Sequence, residues 1–524
     1  MKLCSRLSWR AGALALALAL GCAACGGSSS SGGSSGGGTS ATFKPGPCPS
    51  PEADALSKLN ATCGTLTAPQ NRGDKKQGTV QLPVAIVPSL SKEPSQPDPV
   101  VYMAGGPGAN AIAQAQQLVD VGLNQRRELI IMNQRGNLYT VPELTCPEID
   151  QAFAAAVLLP YDSDANKNQH VAAVQTCHDR LVSQGVNLGN FNTAEDAADF
   201  ADLRKALKLK EWNVYGLSYG TDVALTLLRD HPEGIRSVMI DAVLPPSAVT
   251  LGWTWTNANE AVHNVFTSCA NQPNCVATYG DLEAKFTAQV QQLEANPLTV
   301  HDVQIPGTTD TTDVVLDGGA ILNWIASIPD PVTPIADLAA SIQQLVNGTP
   351  TQIAQTRALA ANPAGFGATG YGPFYDVICS EWVPFEPTSQ ILVQGNLAFP
   401  AFPQTVLAQP PGLPFMTEDC QVWNVPAASG SVRQVTVSDI PTLVLNGSFD
   451  GKSAPQWGIY AAGTLQNSTV VTIPSSGHGA LFQIQMPPDA PSRQCAQDIV
   501  ASFLANPSAP DTSCAASLTN VPFN

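Results

Sequence analysis

Gly216-Leu217-Ser218-Tyr219-Gly220 is a Gly-x-Ser-x-Gly stretch set between the apolar run 212–215 and the helix-like apolar run 223–228. A turn that tight between a strand and a helix leaves no room for flanking side chains. Glycines therefore flank the serine, whose hydroxyl stands exposed as a nucleophile would. Two further matches, Gly32-x-Ser34-x-Gly36 and Gly33-x-Ser35-x-Gly37, lie in a Gly/Ser-rich stretch without strand or helix flanks and carry no such meaning. A serine hydroxyl is a weak nucleophile until a base takes its proton and a third group orients that base. Of the six histidines only His478 lies beyond His301, in Ser475-Ser476-Gly477-His478-Gly479, just past the apolar run ending at Ile473. Asp450 ends the preceding strand-like run, Leu445-Asn446-Gly447-Ser448-Phe449-Asp450, whereas Asp439 precedes that run and would emerge at its other end. Ser218, Asp450 and His478 are thus the candidate nucleophile, orienting acid and base.

Acyl transfer also needs N–H donors set in place for the oxyanion. One is expected from the backbone of Tyr219, directly after the nucleophile. The other is expected from Gly105 and Gly106 in Ala104-Gly105-Gly106-Pro107-Gly108, a turn that follows the apolar run 100–103.

The elements that must position these groups are legible as short apolar runs at 100–103, 129–132, 212–215, 237–240, 442–445 and 469–473. Such runs are buried on both faces of a parallel sheet. Residues 63–67 and 79–87 read as an early pair of strands split by the polar turn 70–77. A helix is expected to start at Thr193, with Asp196 three residues on as a capping box, and to continue through Phe200, Leu203 and Leu207. Strands alternating with helices give an α/β architecture with a mostly parallel sheet. The alternation breaks after Leu244-Pro245-Pro246. Residues 247–437 turn to helical patterns at 282–293, 321–328 and 335–346 among Pro/Gly loops, which reads as an inserted, mainly helical cap. No internal repeat is present. The expected division is a core of 46–246 and 438–524 around that cap, with a closing helix at 496–504.

The N-terminus reads as an export signal: Lys2, Arg6 and Arg10 precede the apolar stretch 11–21, which is too short to span a bilayer. Cys22 and Cys25 then lead into Gly and Ser residues up to Ser40. This resembles a bacterial lipoprotein signal over 1–25 followed by a flexible tether over 26–45. Neither cysteine has the Leu that such signals usually carry three residues earlier, and an ordinary secretory signal is the competing reading. Ten cysteines follow Cys25, an even number that suggests five disulfides in an exported protein. Sequence neighbours make the simplest pairing: Cys48 with Cys63, Cys146 with Cys177, Cys269 with Cys275, Cys379 with Cys420, and Cys495 with Cys514. That parity favours Cys25 over Cys22 as the lipidated residue. No Cys-x-x-Cys pair or His/Cys cluster after the signal suggests zinc. The net charge of −17 argues against nucleic acid as a partner.

Taken together, the motifs resemble the prolyl aminopeptidase and tripeptidyl aminopeptidase group of exported α/β-hydrolases, with a TAP-like C-terminal region. The resemblance rests on Gly105-Gly106-Pro107-Gly108, Gln134-Arg135-Gly136, Gly216 to Thr221, Asn446-Gly447 with Asp450, and Gly477-His478-Gly479. Cys379-Ser380-Glu381 and the Cys495/Cys514 tail extend it, so that it runs from about Cys48 to the C-terminus. It implies the α/β-hydrolase fold and the chain order Ser, acid, His. It further implies a serine aminopeptidase that takes peptides with a free N-terminus and needs no metal or organic cofactor. Ala104 and Asn133 stand where the family often has His and Asp, and neither is a member of the triad. Arg135 is expected to be structural, bonding carbonyls beside the oxyanion loop. A cap carboxylate should hold the substrate ammonium, since a desolvated cation needs a partner; Glu381 is the first candidate and Glu260 the second. Two other functions remain open: an esterase or amidase acting on small acyl compounds, and an idle lipoprotein that binds peptides in its cap cleft.

Overall fold

A strand buried on both faces has no polar side to show, so its sequence is apolar throughout rather than alternating. The computed structural model describes residues 41–524 apart from 92, 94, 249–250, 329–331 and 483–489; the expected signal, most of the tether, Cys22 and Cys25 lie outside the described residues. The apolar runs are strands β4 (Val100–Met103), β5 (Leu129–Met132), β6 (Trp212–Leu217), β7 (Ile235–Asp241), β10 (Thr442–Gly447) and β11 (Ser468–Ile473). The early pair is β2 (Thr62–Pro69) and β3 (Thr79–Val87), preceded by β1 (Thr42–Gly46). Together they form a nine-stranded sheet in the order β1-β2-β3-β5-β4-β6-β7-β10-β11. The pairs from β5 to β11 are parallel, while β1, β2 and β3 join antiparallel.

Along β4 the side chains alternate between two cores. Val101 and Met103 pack with Val214 and Ile240 on one face; Val100 and Tyr102 pack with Tyr215 and Met239 on the other. Because β4, β6, β7, β10 and β11 run parallel, their C-terminal ends share one edge of the sheet. That edge carries the Gly105–Gly106 turn, Ser218, Asp241, Asp450 and His478, and in open α/β sheets it is the edge where ligands bind.

Several local expectations change. Residues 42–45, assigned to the tether, belong to β1, a polar edge strand containing Pro45 with no apolar run to announce it. The helix at 193 starts one residue earlier than its capping box implied. Asn192 is the cap, its side chain accepting from Glu195 N at 3.0 Å, and Thr193 opens the helix Thr193–Ala206. Between β7 and β10 lie helices including Trp253–Ala270, Leu282–Ala295, Gly318–Ala326 and Thr388–Ala398. This stretch also holds an antiparallel hairpin of β8 (Leu298–Gln304) and β9 (Thr311–Leu316) that the helical reading did not contain. Disulfides join Cys48–Cys63, Cys146–Cys177, Cys269–Cys275, Cys379–Cys420 and Cys495–Cys514. No helix among the described residues is long and apolar enough to cross a membrane.

Candidate active site

Ser218 sits at the end of β6 with φ 56° and ψ −127°, a conformation that L-residues avoid and that the surroundings must hold. They hold it tightly. Ser218 N donates to Asp241 O at 3.0 Å, and Thr221 Oγ1 donates to Ser218 O at 2.6 Å while accepting from Leu244 N. The flanking glycines are obligatory. A Cβ on Gly216 would lie 2.4 Å from Gly220 O, and one on Gly220 would lie 2.0 Å from Met103 O. The Gly105–Gly106 turn comes directly against the serine, since a Cβ on Gly105 would be 2.9 Å from Ser218 Cβ. Gly370 N donates to Gly108 O at 2.8 Å, so the same turn is tied to the inserted segment.

Asp450 and His478 meet each other directly. His478 Nδ1 lies 3.0 Å from both carboxylate oxygens of Asp450. Lys452 N and Ser453 N donate to Asp450 Oδ1 at 2.9 and 3.0 Å, and Ser453 Oγ donates to Oδ2 at 2.8 Å. Burial alone would raise this carboxyl, but His478 and the Ser453 donors outweigh it and hold it below the usual carboxylate range. It is therefore ionised at neutral pH, as an imidazole-orienting acid must be. Gly447 lets the histidine loop approach: a Cβ there would lie 2.2 Å from Gly477 O. Ser453 Oγ also lies 3.1 Å from His478 Nδ1, a third contact within the pair that motif reading did not include.

Asp241, at the end of β7, was also missed. Its oxygens accept from Ala480 N at 2.8 Å, Leu481 N at 2.9 Å and the Tyr215 hydroxyl at 3.1 Å, pinning the loop that carries His478. Burial raises this carboxyl to about 6 against the pull of those donors. Asp241→Asn removes one of the two acceptors serving neighbouring amides. It should lower kcat by about 10-fold or more through a misplaced imidazole, while conservative repacking keeps the chain folded. Steady-state kinetics beside a thermal melt check this, and unchanged kcat with a normal melt would remove Asp241 from the site.

Gly106, Ser218 and His478 share one cavity of about 510 Å³ with residues of the insert such as Trp324, Trp382 and Phe415. Its lining is mostly apolar. Arg357 and Lys452 are its cationic members, and no carboxylate lines it among the described residues.

The two glutamates expected to hold a substrate ammonium are not in this lining. Glu381 is buried, accepting from Thr193 N at 2.9 Å and Thr193 Oγ1 at 2.6 Å. Thr193 Oγ1 in turn lies 3.0 Å from the Tyr219 hydroxyl, which donates to Asp196 at 3.2 Å. Glu381 thus caps a helix start and braces the elbow. Half-buried Glu260 accepts from the Gln456 backbone at the start of the helix Pro455–Ala462. Both acids serve helix N–H groups that have no partner within their own helix, where carboxylates are favoured.

Arg135 is structural, but the carbonyls it bonds belong to segments other than the Gly105–Gly106 turn. It donates to the carbonyls of Pro69, Gln70 and Asn190 and grips the Asp199 carboxylate twice at 2.9 Å. Asn133 ties the loops after β4 and β5, accepting from Ile112 N and donating to Asn110 and to Leu138 O. One polar group of the cavity had no sequence signal. His170 Nδ1 lies 3.0 Å from Asp419 Oδ2, and its buried Nε2 has no partner.

The arrangement can perform acyl transfer: a serine on a strained elbow, an imidazole oriented by an ionised carboxylate, and a glycine turn against the serine. A family model described as alpha/beta hydrolase fold matches residues 98–267, and one described as TAP-like protein matches residues 413–514. The chain is 21% identical over 497 residues to "Serine protease Hip1" of Mycobacterium tuberculosis, covering 88% of this chain and 89% of that one. It is 24% identical over 204 residues to the "Tripeptidyl aminopeptidase" of Streptomyces lividans, covering 38% and 37%. The corresponding Streptomyces coelicolor enzyme is 23% identical over the same span. The glycine-bound elbow, the ordered Asp–His pair and these two family matches place the chain among the α/β-hydrolases of the TAP-like group, as a serine hydrolase.

Proposed function

We propose that this serine hydrolase is a peptidase that releases amino acids or short peptides from peptide N-termini through an acyl-enzyme. Ser218 Oγ attacks the scissile carbonyl as His478 takes its proton. The backbone amides of Tyr219 and of the Gly105–Gly106 turn receive the oxyanion. His478 then protonates the leaving amine, and water, activated by the same imidazole, frees the acyl unit and restores Ser218. Asp450 holds the imidazole and stabilises its cation. The carrying observation is that Ser218 and His478 open into a cavity of about 510 Å³ roofed by the insert, which serves as the cap. A space of that size suits a short chain end.

The named relatives support peptides as substrates. With Glu381 and Glu260 engaged elsewhere, His170 Nε2 becomes the acceptor for the substrate ammonium. With Nδ1–H donating to the Asp419 carboxylate, Nε2 presents its lone pair to the cavity and the pair carries one negative charge. Five disulfides support an oxidising, exported location, with Cys25 or Cys22 as the lipid anchor.

A second reading, an esterase or amidase on small acyl compounds, is favoured by the mostly apolar lining, which has no carboxylate among the described residues. Chromogenic mono-, di- and tripeptide substrates with free or blocked amines separate the two. The peptidase should lose at least about 10-fold in kcat/KM on blocking, as expected when a buried acceptor loses its partner. Equal rates on blocked and free substrates would leave the esterase reading standing.

A further inference from the structure

We propose that Asp162, Glu294 and Asp317 bind a divalent cation, Ca²⁺, that fastens the helical insert to the core beside the cavity. The three residues are far apart in sequence and come from different elements. Asp162 lies just before the helix Asp164–Ser183, Glu294 is on the last turn of Leu282–Ala295, and Asp317 joins β9 to the helix Gly318–Ala326. One oxygen from each lies within 4.8 Å of the others. Ca²⁺ binds carboxylate oxygens at about 2.4 Å, so two ligands of one ion can be at most about 4.8 Å apart.

Proximity alone would not make a site, since acidic groups cluster without ions. The decisive feature is what the oxygens lack. Both Asp162 oxygens and Glu294 Oε2 are shut off from solvent and accept no hydrogen bond. Glu294 Oε1 takes the Thr405 hydroxyl, and Asp317 Oδ1 caps its helix by accepting from Ala320 N at 2.8 Å. Two glycines leave room for the unpartnered oxygens: a Cβ on Gly319 would lie 2.1 Å from Asp162 Oδ2, and one on Gly318 3.0 Å from Glu294 Oε2.

Charge balance sets the ion's valence. Three carboxylates face one guanidinium, Arg357, whose field reaches Asp162 and Asp317. Its Nη2 is engaged by the carbonyls of Ala156 and Leu159 at 2.9 and 2.8 Å. Two negative charges remain in a buried place, where unpaired ions are strongly unfavourable. A hard divalent cation with oxygen ligands matches both the charge and the donor set. Tyr161 and Leu316, the chain neighbours of Asp162 and Asp317, line the cavity, so the ion would stiffen that wall.

Ca²⁺ titrated calorimetrically into the EDTA-treated full chain should bind with a stoichiometry of one. At about a hundredfold excess over Kd it should raise Tm by about 3 °C relative to EDTA. Tb³⁺ in place of Ca²⁺ should luminesce on excitation of the adjacent Tyr161. Asp162→Asn and, separately, Glu294→Gln should each abolish the Tm shift and the luminescence. Two variants guard against one failing to fold. Binding that survives both substitutions overturns the site, and so does an unshifted wild-type Tm. Greater stability of Asp162→Asn at neutral pH, with or without Ca²⁺, would mean that the cluster holds protons instead.

Discussion

Ser218→Ala should reduce turnover by about 10⁴-fold or more while leaving Tm within about 1 °C of the wild type. The size follows from the division of labour in a serine–histidine–acid site. Without the nucleophile, oriented donors and binding still leave some catalysis over water, but no acyl-enzyme forms. The unchanged Tm follows from the elbow. Serine and alanine both carry a Cβ, so the strain at φ 56° is the same, and the backbone bonds from Thr221 and to Asp241 do not involve the hydroxyl. Two measurements check it: kcat on a peptidyl arylamide, and covalent labelling by a fluorophosphonate, which the variant should escape. Full activity or full labelling in Ser218→Ala would move the nucleophile elsewhere. An inert wild type that no fluorophosphonate labels would favour the idle binder.

Much of this site was legible because backbone geometry left few residue choices. Gly216, Gly220 and Gly447 each face a backbone atom within 2.4 Å of where a Cβ would sit, so glycine is required there and the motif is visible. The strands that carry the site were visible for a related reason: β4 and β5 are wholly buried and therefore wholly apolar. What stayed hidden lacks a local pattern. β1 is a polar edge strand, and the β8–β9 hairpin sits in a segment whose neighbours are helical. Asp241, Ser453 and the His170–Asp419 pair act across 3 to 249 residues of sequence through single side chains. The glutamates lie outside the cavity lining for an instructive reason. A charge next to a cysteine says that the backbone is fixed there, not which way the carboxylate points. In Glu381 it points at a helix start, where N–H groups without an intrahelical partner attract it.

That difference has a large measurable consequence, because a bracing role and a substrate role for Glu381 predict opposite results. Glu381→Ala leaves Thr193 N and Oγ1 without a buried acceptor and should cost about 3 kcal/mol. Unfolding entropy near 2.1 cal/mol/K per residue makes 1 kcal/mol worth about 1 °C in a chain of this length, so Tm should fall by about 3 °C. The loss should depend on pH in a defined sense. Burial, opposed by the Thr193 donors, raises the Glu381 carboxyl to about 6 from its usual 4.5. A raised acid folds better when protonated, so the wild type gains stability as pH falls from above 6 toward 4.5. That gain is about 2 kcal/mol, and the alanine variant cannot share it. The Tm gap between wild type and variant should therefore widen at pH 5 compared with pH 7.5. Kinetic losses should fall equally on free-amine and blocked substrates, since a loosened elbow damages Ser218 for both. An unchanged Tm with a KM rise confined to free-amine substrates would return Glu381 to the substrate. It would also require its carboxylate to leave Thr193 and reach the cavity when peptide binds.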